Sequence, residues 1–299
     1  MPVTDQDLAR AAAILRRGGL VAFPTETVYG LGANALDREA ILKVYAAKGR
    51  PATSPLIVHV ASFEMLADVA AEWPDTAQRL AERFWPGPLT LVVRKSNTIA
   101  DEVTAGLNTV GVRMPAHPVA RELIRRASIP LAAPSANLFT QISPTTAEHV
   151  REGLGDRVEM ILDGGPCTVG IESTVLSLAG SAPILLRPGM VSLAQIESVI
   201  GPVDTLHEPP QAAHPSPGLH HRHYSPRTPL YLLAKDEPLP AGRGKLIEMP
   251  EHPDEYAAKL YSALHAADAE GWDWIAIRKP PETGEWSAIW DRLSRAASQ

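Results

Sequence analysis

The sequence predicts an α/β fold with two domains, the first of them built on a twisted mixed sheet. Three observations support this prediction. Short apolar runs typical of strands alternate irregularly with helical patterns as far as residue 200. A stretch rich in Pro and His, without apolar periodicity, follows at 201–227, and a second strand and helix pattern occupies 228–299. Because the alternation is irregular, we expect a mixed sheet and not a doubly wound parallel one.

The first domain, residues 1–200, begins with a helix over 4–17, for which Thr4 is a candidate N-cap and Gly18 a stop signal. Further helices are predicted at 37–47, 63–69, 74–84, 118–127 and 146–153. Strands are predicted at 20–23, 56–60, 89–93, 110–113, 131–133, 160–162, 173–177 and 184–187. The linker at 201–227 is long enough to be functional or disordered.

The second domain, residues 228–299, is a small α/β unit near the lower size limit for independent stability. Its strands are predicted at 230–233, 245–248 and 274–277, and its helices at 255–267 and 286–297.

Composition and charge exclude several classes of protein. The 299 residues are 45% hydrophobic and carry a net charge of −6, with a pI near 5.9. An acidic chain of this kind is a poor match to a protein that coats nucleic acid. The single cysteine, Cys167, allows no intramolecular disulfide, and no apolar run approaches the ~18 residues of a membrane span. We expect a cytoplasmic protein without a membrane partner.

A glycine pattern, Gly30-Leu31-Gly32-Ala33-Asn34-Ala35, follows a predicted strand and fits the spacing of a dinucleotide-binding turn. The segment before it is interrupted by Thr25-Glu26-Thr27, and cations, Lys48 and Arg50, occupy the region where an acidic ribose partner belongs. A dehydrogenase is therefore a minor alternative. The chain contains no P-loop motif.

Polar segments follow or flank several predicted strands, and together they predict one shared cleft for phosphate and a small polar substrate. Lys48 and Arg50, with Ser54 close by, are the better phosphate candidates, because ammonium and guanidinium groups suit anionic oxygens. Taken singly, the turn at Lys48-Gly49-Arg50 is equally well explained as a solvated basic turn, and His59 and the polar turns at 135–137 and 172–174 are more typical of structural roles. The segments are Lys48-Gly49-Arg50 with Ser54, His59, Thr109 with Arg113, Ser135-Ala136-Asn137 with Ser143, and Glu172-Ser173-Thr174.

The histidine-rich run His220-His221-Arg222-His223-Tyr224 raises the possibility of a metal tract, but no cysteine or carboxylate cluster completes a ligand set. We favour a linker that folds over the cleft through Arg222 and Tyr224. The sequence also lacks a nucleophile motif such as G-x-S-x-G, so it does not support a covalent mechanism.

Several of these motifs resemble those of the threonylcarbamoyl-AMP synthases, which contain the YrdC-type domain. The resemblance covers about residues 5 to 200 and continues through the linker into a C-terminal unit similar to that of the longer, two-domain members. The pairing of Lys48 and Arg50 with Ser135 and Asn137 is its most specific element. The matching segments are 24–32 (Pro-Thr-Glu-Thr-Val-Tyr-Gly-Leu-Gly), 48–51 (Lys-Gly-Arg-Pro), 84–90 (Phe-Trp-Pro-Gly-Pro-Leu-Thr), 133–137 (Ala-Pro-Ser-Ala-Asn) and 186–189 (Leu-Arg-Pro-Gly).

The resemblance implies a twisted mixed sheet around a concave basic cavity and a Rossmann-like C-terminal domain. It implies condensation of L-threonine, bicarbonate or CO2, and ATP to threonylcarbamoyl-AMP, with release of pyrophosphate. The product would serve threonylcarbamoyladenosine formation beside the anticodon of tRNA, through a downstream tRNA threonylcarbamoyl transferase complex. Weak direct binding of tRNA is left open.

The resemblance also implies roles for individual residues. Lys48 and Arg50 would be catalytic, by stabilising charge on the phosphates. The residues implied for L-threonine are Thr27, His59, Arg113, Ala133 and Ser173. The residues implied for ATP are Arg50, Ser54, Thr109, Ser135, Asn137, Ser143, Arg187 and Tyr224. No protein ligands to a metal are expected, and Mg2+ would arrive with the ATP phosphates.

Two other functions remain as alternatives. An RNA-binding module would suit a concave basic face, but the acidic net charge and the lack of aromatics interleaved with Lys or Arg weigh against it. Carbamoyl transfer within a larger maturation protein normally brings acylphosphatase or zinc-finger segments, which this chain lacks.

Overall fold

The computed structural model describes residues 3–205 and 223–297, which form two α/β units. The first unit contains a sheet of ten strands in the order β10-β9-β8-β4-β5-β3-β6-β2-β1-β7. Parallel and antiparallel pairs both occur in it, so the predicted mixed sheet is confirmed. The strands are β1 (Val21–Phe23), β2 (Gly30–Asn34), β3 (Ile57–His59), β4 (Leu89–Arg94), β5 (Thr109–Arg113), β6 (Leu131–Ala132), β7 (Met160–Ile161), β8 (Thr174–Ser177), β9 (Ile184–Arg187) and β10 (Asp204–Thr205).

Helices cover both faces of this sheet. Alternate residues of β1 enter different apolar clusters: Phe23 packs with α1 and α4, whereas Ala22 belongs to the cluster with α2, α3 and α5. The first helix begins as predicted, with a capping box in which the Asp7 amide donates to Thr4 Oγ1 at 3.1 Å. The helices are α1 (Asp5–Arg16), α2 (Arg38–Lys48), α3 (Asp75–Phe84), α4 (Pro118–Ala127), α5 (Ala147–Leu154) and α6 (Leu193–Ile200).

The glycine pattern at 30–35 is not a phosphate-binding turn. Residues Gly30–Asn34 form β2, which pairs antiparallel with β1. A Cβ atom on Gly32 would lie 2.6 Å from Cε1 of Phe23, so the glycine permits the ring to pack against the strand. The dinucleotide-binding interpretation, already a minor alternative, is therefore wrong.

Three further elements differ from the sequence expectation. The segment predicted as a helix at 63–69 is a 3₁₀ turn at Glu64–Asp68. Helix α6 was not predicted, although Ser192 provides it with a capping box. Strand β10 pairs with β9, so the sheet continues to Thr205, past the predicted boundary at residue 200.

The second unit is a three-stranded parallel sheet in the order β11-β13-β12 with two helices. Its apolar core is continuous with the first domain, because Val28 and Ile171 pack into the same cluster as Tyr261, Ile275 and Ile289. This shared core supplies the support that so small a unit needs. The elements are β11 (Leu230–Leu233), β12 (Gly244–Ile247), α7 (Pro253–Ala269), β13 (Trp274–Arg278) and α8 (Ser287–Ala296).

The predicted linker at 201–227 is described in part. Its residues 206–222, and with them His220, His221 and Arg222, lie outside the described residues. From His223 onward the chain crosses the first domain, where the Ser225 amide donates to the Thr140 carbonyl at 2.9 Å. Within the described ranges, no three His, Cys, Asp or Glu side chains are grouped to hold a metal ion. No helix in the same ranges is long and apolar enough to cross a membrane.

Candidate active site

A cleft opens where β3 and β5 end side by side. These strands are parallel neighbours, and their register pairs His59 with Arg113, so both side chains reach the same edge of the sheet. The segment after β6 crosses the mouth of the cleft, with the Ala133 amide donating to the Ile57 carbonyl at 2.9 Å. The polar residues that line the cleft are Thr25, Thr27, Arg50, His59, Arg113, Ser135, Glu172, Ser173, Arg187, His223 and Tyr224.

At one end of the cleft, Arg113 is held by three partners. Its Nη2 donates to Glu26 Oε1 at 2.6 Å, its Nη1 to Thr27 Oγ1 at 2.9 Å, and its Nε to the Gly87 carbonyl at 3.1 Å. The side chains of Arg113 and Glu26 are only 4% and 7% exposed. A guanidinium has five N–H groups, so one on each terminal nitrogen has no partner within the described residues. Two N–H groups are what a bidentate carboxylate requires.

His59 lies beside this guanidinium as a neutral imidazole. It is buried, and burial, reinforced by the positive charge of Arg113, lowers its pKa to about 3. Its Nδ1 has no hydrogen-bond partner in the described part of the chain. The imidazole lines the cleft, where a neutral ring offers one N–H donor and one acceptor to a ligand's hydroxyl or amine.

At the other end, two buried guanidiniums lie in the cleft wall. Arg50 donates from Nη2 to Ser54 Oγ at 2.6 Å and to the Pro55 carbonyl at 3.1 Å, and its buried Nε lacks a partner among the described residues. Arg187 donates from Nε and Nη2 to the Ser173 carbonyl at 3.1 and 2.9 Å. Burial lowers the pKa of Arg50 to about 10, and it lowers that of Arg187 as well. Desolvated cations held close together attract an anion with several oxygens.

Lys48 does not line the cleft. Its Nζ donates to the carbonyls of Ser135 and Asn137 at 2.5 and 2.6 Å and to Asn137 Oδ1 at 3.3 Å, which uses all three N–H groups. The side chain is buried, and burial, followed by the charge of Arg50, lowers its pKa well below the ordinary value. The geometry makes Lys48 the tether of the loop that brings Ser135 to the cleft.

Tyr224 covers the cleft from the linker side. Its side chain is 1% exposed and its backbone has a φ of 62°, in the left-handed region that non-glycine residues rarely adopt. Burial, followed by the negative charge of Glu172, raises its pKa to about 12. The cavity that Tyr224 helps to line measures about 50 Å3, enough for a few water molecules.

Comparison with known proteins bears directly on this site. Residues 13–189 match the Sua5/YciO/YrdC family model, described as telomere recombination, and residues 191–298 match the model of the threonylcarbamoyl-AMP synthase C-terminal domain. The threonylcarbamoyl-AMP synthase of Bacillus subtilis is 43% identical, over 99% of this chain and 94% of its own length. The chain belongs to the threonylcarbamoyl-AMP synthase family. The family's enzyme from Pyrococcus abyssi is 42% identical, over 96% of this chain and 93% of its own length.

A solved structure of a family member, P. abyssi Sua5 complexed with L-threonine, superimposes with a TM-score of 0.92 at 40% identity. The match covers 99% of this chain and 96% of that one. The fold of both units is therefore that of the two-domain family members.

The structure brings together most of the residues that the family resemblance implied. All five residues implied for threonine line the cleft, as do four of those implied for ATP: Arg50, Ser135, Arg187 and Tyr224. Ser54 and Ser143 lie directly behind it, bonded to Arg50 and to Glu172. Asn137 is bonded to Lys48.

Thr109 is the exception. It occupies the opposite end of β5 from Arg113 and pairs across the sheet with Arg94. The structure does not bring its side chain to the cleft.

Sequence reasoning missed two carboxylates in this family site. Glu26 anchors Arg113, and Glu172 lies in the cleft wall with its Oε1 accepting from Ser143 Oγ at 2.6 Å. Both residues belong to segments that the sequence singled out. Their roles were not visible because a carboxylate's partner is distant in sequence: Arg113 lies 87 residues from Glu26.

Proposed function

We propose that this chain is an L-threonylcarbamoyladenylate synthase, which condenses L-threonine, bicarbonate or CO2, and ATP and releases pyrophosphate. One observation carries the proposal: a guanidinium with two N–H groups to spare, Arg113, shares a cleft with two buried cations, Arg50 and Arg187. Such a cleft suits a substrate carboxylate at one end and a polyphosphate at the other. Membership of the synthase family supports the same reaction.

At the threonine end, Arg113 would clamp the carboxylate while Thr27 and Ser173 hydroxyls and the Ala133 backbone contact the remainder of the substrate. His59 would bind as a neutral partner, since its lowered pKa leaves it uncharged near neutral pH. Its imidazole, which lines the cleft, is the candidate partner of the substrate hydroxyl or amine. An imidazole with so low a pKa is a weak base, so its role would be orientation.

At the nucleotide end, the chemistry requires charge stabilisation and not an enzyme nucleophile. The threonine amine condenses with bicarbonate, with loss of water, or with CO2 to form a carbamate. A carbamate oxygen then attacks the α-phosphorus of ATP, and the bond to the β-phosphate breaks as pyrophosphate leaves. Negative charge on the phosphate oxygens would be stabilised by Arg50 and Arg187, which are already desolvated and held by fixed acceptors.

Mg2+ is expected to accompany ATP, where it would neutralise phosphate charge. The residues fit this arrangement better than a site made by the protein. Of the described residues that line the cleft, Glu172 alone carries a carboxylate, and that group is committed to Ser143, Tyr261 and Arg292.

In the cytoplasm, the product would pass to a tRNA threonylcarbamoyl transferase complex. That complex would use it to form threonylcarbamoyladenosine next to the anticodon. The linker at 201–227 would close over the bound substrates through Tyr224, because that buried residue lines the cleft from the linker side.

The test is pyrophosphate release from ATP and bicarbonate, with each common amino acid in turn and no RNA present. Release that requires threonine is the expected result, and Arg113→Ala should then raise the KM for threonine far more than the KM for ATP. Absence of release with every amino acid, from protein that still binds ATP, would contradict the proposal. Release that requires RNA would favour the RNA-binding alternative.

A further inference from the structure

A buried arginine of the second domain reaches the wall of the cleft. Arg292, on α8, is completely buried, with 0% of its side chain exposed. Its Nε donates to Glu172 Oε2 at 2.8 Å and its Nη2 to the Glu172 carbonyl at 3.1 Å. Its Nη1 donates to the Pro188 carbonyl at 3.0 Å and to Asp291 Oδ2 at 2.6 Å. A buried charge is tolerated only where partners compensate its desolvation, as they do here.

Glu172 joins the two domains through its carboxylate. Oε1 accepts from Ser143 of the first domain at 2.6 Å, and Oε2 accepts from Tyr261 of the second domain at 3.0 Å as well as from Arg292. Burial by itself raises the pKa of Glu172, but the charge of Arg292, and then that of Arg187, holds the pKa below its ordinary value. Glu172 is therefore an ionised junction whose two oxygens both accept hydrogen bonds.

The contacts of this junction extend to the nucleotide half of the cleft by two routes. Arg292 fixes the main chain of Glu172, and the next carbonyl, of Ser173, accepts both N–H···O bonds that orient Arg187. Arg292 also lies against the ring of Tyr224, with 5.5 Å between the guanidinium carbon and the ring centroid.

We propose that Arg292 is a positioning residue for ATP: acting through Glu172 and Tyr224, it places Arg187, Ser143 and the Tyr224 ring for the nucleotide. The inference rests on the proposed function. It gives the second domain a defined task, which is to support the nucleotide half of the cleft. Within the described residues, Arg292 makes no hydrogen bond to Thr27, His59 or Arg113.

Arg292→Lys is the main variant, because it keeps the charge but replaces a planar fork, whose three nitrogens bond Glu172, Pro188 and Asp291, with a single ammonium nitrogen. The expected result is a rise in the KM for ATP of about tenfold or more, since small misplacements of positioned groups have large kinetic effects. The KM for threonine should rise less than the KM for ATP, because Arg292 reaches the threonine residues only through the chain at Ser173. The matched control is Arg278→Lys, whose guanidinium donates to the Ala234 and Glu237 carbonyls of its own domain.

If Arg292 had only a structural role, its substitution would lower kcat in proportion to the folded fraction of the protein. The KM values for ATP and for threonine would both stay unchanged. An unchanged KM for ATP in folded Arg292→Lys protein would therefore overturn the proposal. If Arg292→Lys does not fold, Tyr261→Phe is measured instead. This variant lacks the hydroxyl that donates to Glu172 Oε2. A KM for ATP equal to that of the wild type would then overturn the proposal.

Titration calorimetry with ATP alone separates this inference from the proposed function. A wild-type protein that binds ATP but releases no pyrophosphate with threonine would contradict the synthase, while a weaker ATP affinity in Arg292→Lys would still support the positioning role. A wild-type protein that does not bind ATP would contradict both.

Discussion

Glu26 and Arg113 form a buried ion pair at 2.6 Å that joins the loop after β1 to the end of β5. The second oxygen of Glu26 accepts from the Ala116 amide at 3.0 Å, so the carboxylate is fixed at both ends. Burial raises the pKa of Glu26, but the charge and hydrogen bond of Arg113 outweigh it and hold the pKa below the ordinary value. The pair fixes the guanidinium in one orientation, as a carboxylate clamp requires.

Glu26→Gln should weaken threonine binding by about tenfold, because a charge-assisted hydrogen bond contributes roughly 1.5–3 kcal/mol. A glutamine cannot accept from both Arg113 and Ala116, since one end of the amide is a donor. Without the negative charge of Glu26, Arg113 attracts the substrate carboxylate more strongly, but its guanidinium is no longer held in the required orientation. Threonine titration by calorimetry checks this, with the surface carboxylate variant Glu122→Gln as control. Wild-type affinity in Glu26→Gln would show that Arg113 needs no anchor.

Because His59 is buried, we expect the free energy of unfolding to fall in acid. The pKa of His59 is lowered from its ordinary value to about 3, so between pH 6.5 and pH 3 the unfolded chain binds a proton at this residue that the folded chain does not. Stability must therefore fall as the pH is lowered through that window, by about 1.4 kcal/mol per pH unit for one group. His265, whose pKa burial lowers to about 4, acts in the same direction.

Urea denaturation at pH 7, 6 and 5 measures this slope. His59→Gln should reduce the dependence of unfolding free energy on pH, whatever its effect on absolute stability. The exposed His252→Gln should leave the slope as it is in the wild type. An identical slope in wild type and His59→Gln would mean that His59 binds its proton over the same pH range in the folded and the unfolded chain.

Lys48 was grouped with the residues that surround it in the structure, and the catalytic role that the resemblance implied for it stays a prediction. The pairing of Lys48 with Ser135 and Asn137 was predicted from motifs, and the structure joins these residues by hydrogen bonds. The motif alone does not show that all three N–H groups of Lys48 donate to the loop. Burial and hydrogen-bond partners depend on the folded structure, not on local sequence. In the same way Thr109 and Arg113 share one strand, but four residues of extended chain place them at opposite ends of it.

Lys48→Met should loosen the loop at 135–139 and lower ATP affinity, since three acceptors lose their donor at a cost of roughly 1–3 kcal/mol each when buried. Faster hydrogen exchange in peptides covering this loop, together with calorimetry of ATP, measures the effect. Lys43→Met on the same helix is the control, because Lys43 donates to the Gly18 carbonyl, away from the loop. Unchanged exchange and ATP affinity with lost turnover would instead give Lys48 the direct catalytic role that its motif implies.

The alternating strands and amphipathic helices were predictable because they depend on local periodicity. Strand β2 was not, because Gly30 and Gly32 within it are typical of turns, and glycine is depleted in strands. What overrides the local preference is packing: the ring of Phe23, on the neighbouring strand, occupies the space that a side chain at residue 32 would need. A prediction from local sequence pattern cannot detect tertiary packing of this kind.

Gly32→Ala tests that explanation directly. The new methyl carbon would lie 2.6 Å from Phe23 Cε1 and 3.3 Å from the Val21 carbonyl oxygen, so the strand pair must shift and the free energy of unfolding should fall by about 1–3 kcal/mol. Gly153→Ala is the matched control: it lies in α5, where a Cβ meets nothing within 4 Å, and should stabilise by roughly 0.5–1 kcal/mol. Thermal or urea unfolding of both variants distinguishes the two effects. If Gly32→Ala kept wild-type stability but lost ATP binding, the glycine would serve the ligand and not the packing of β1 against β2.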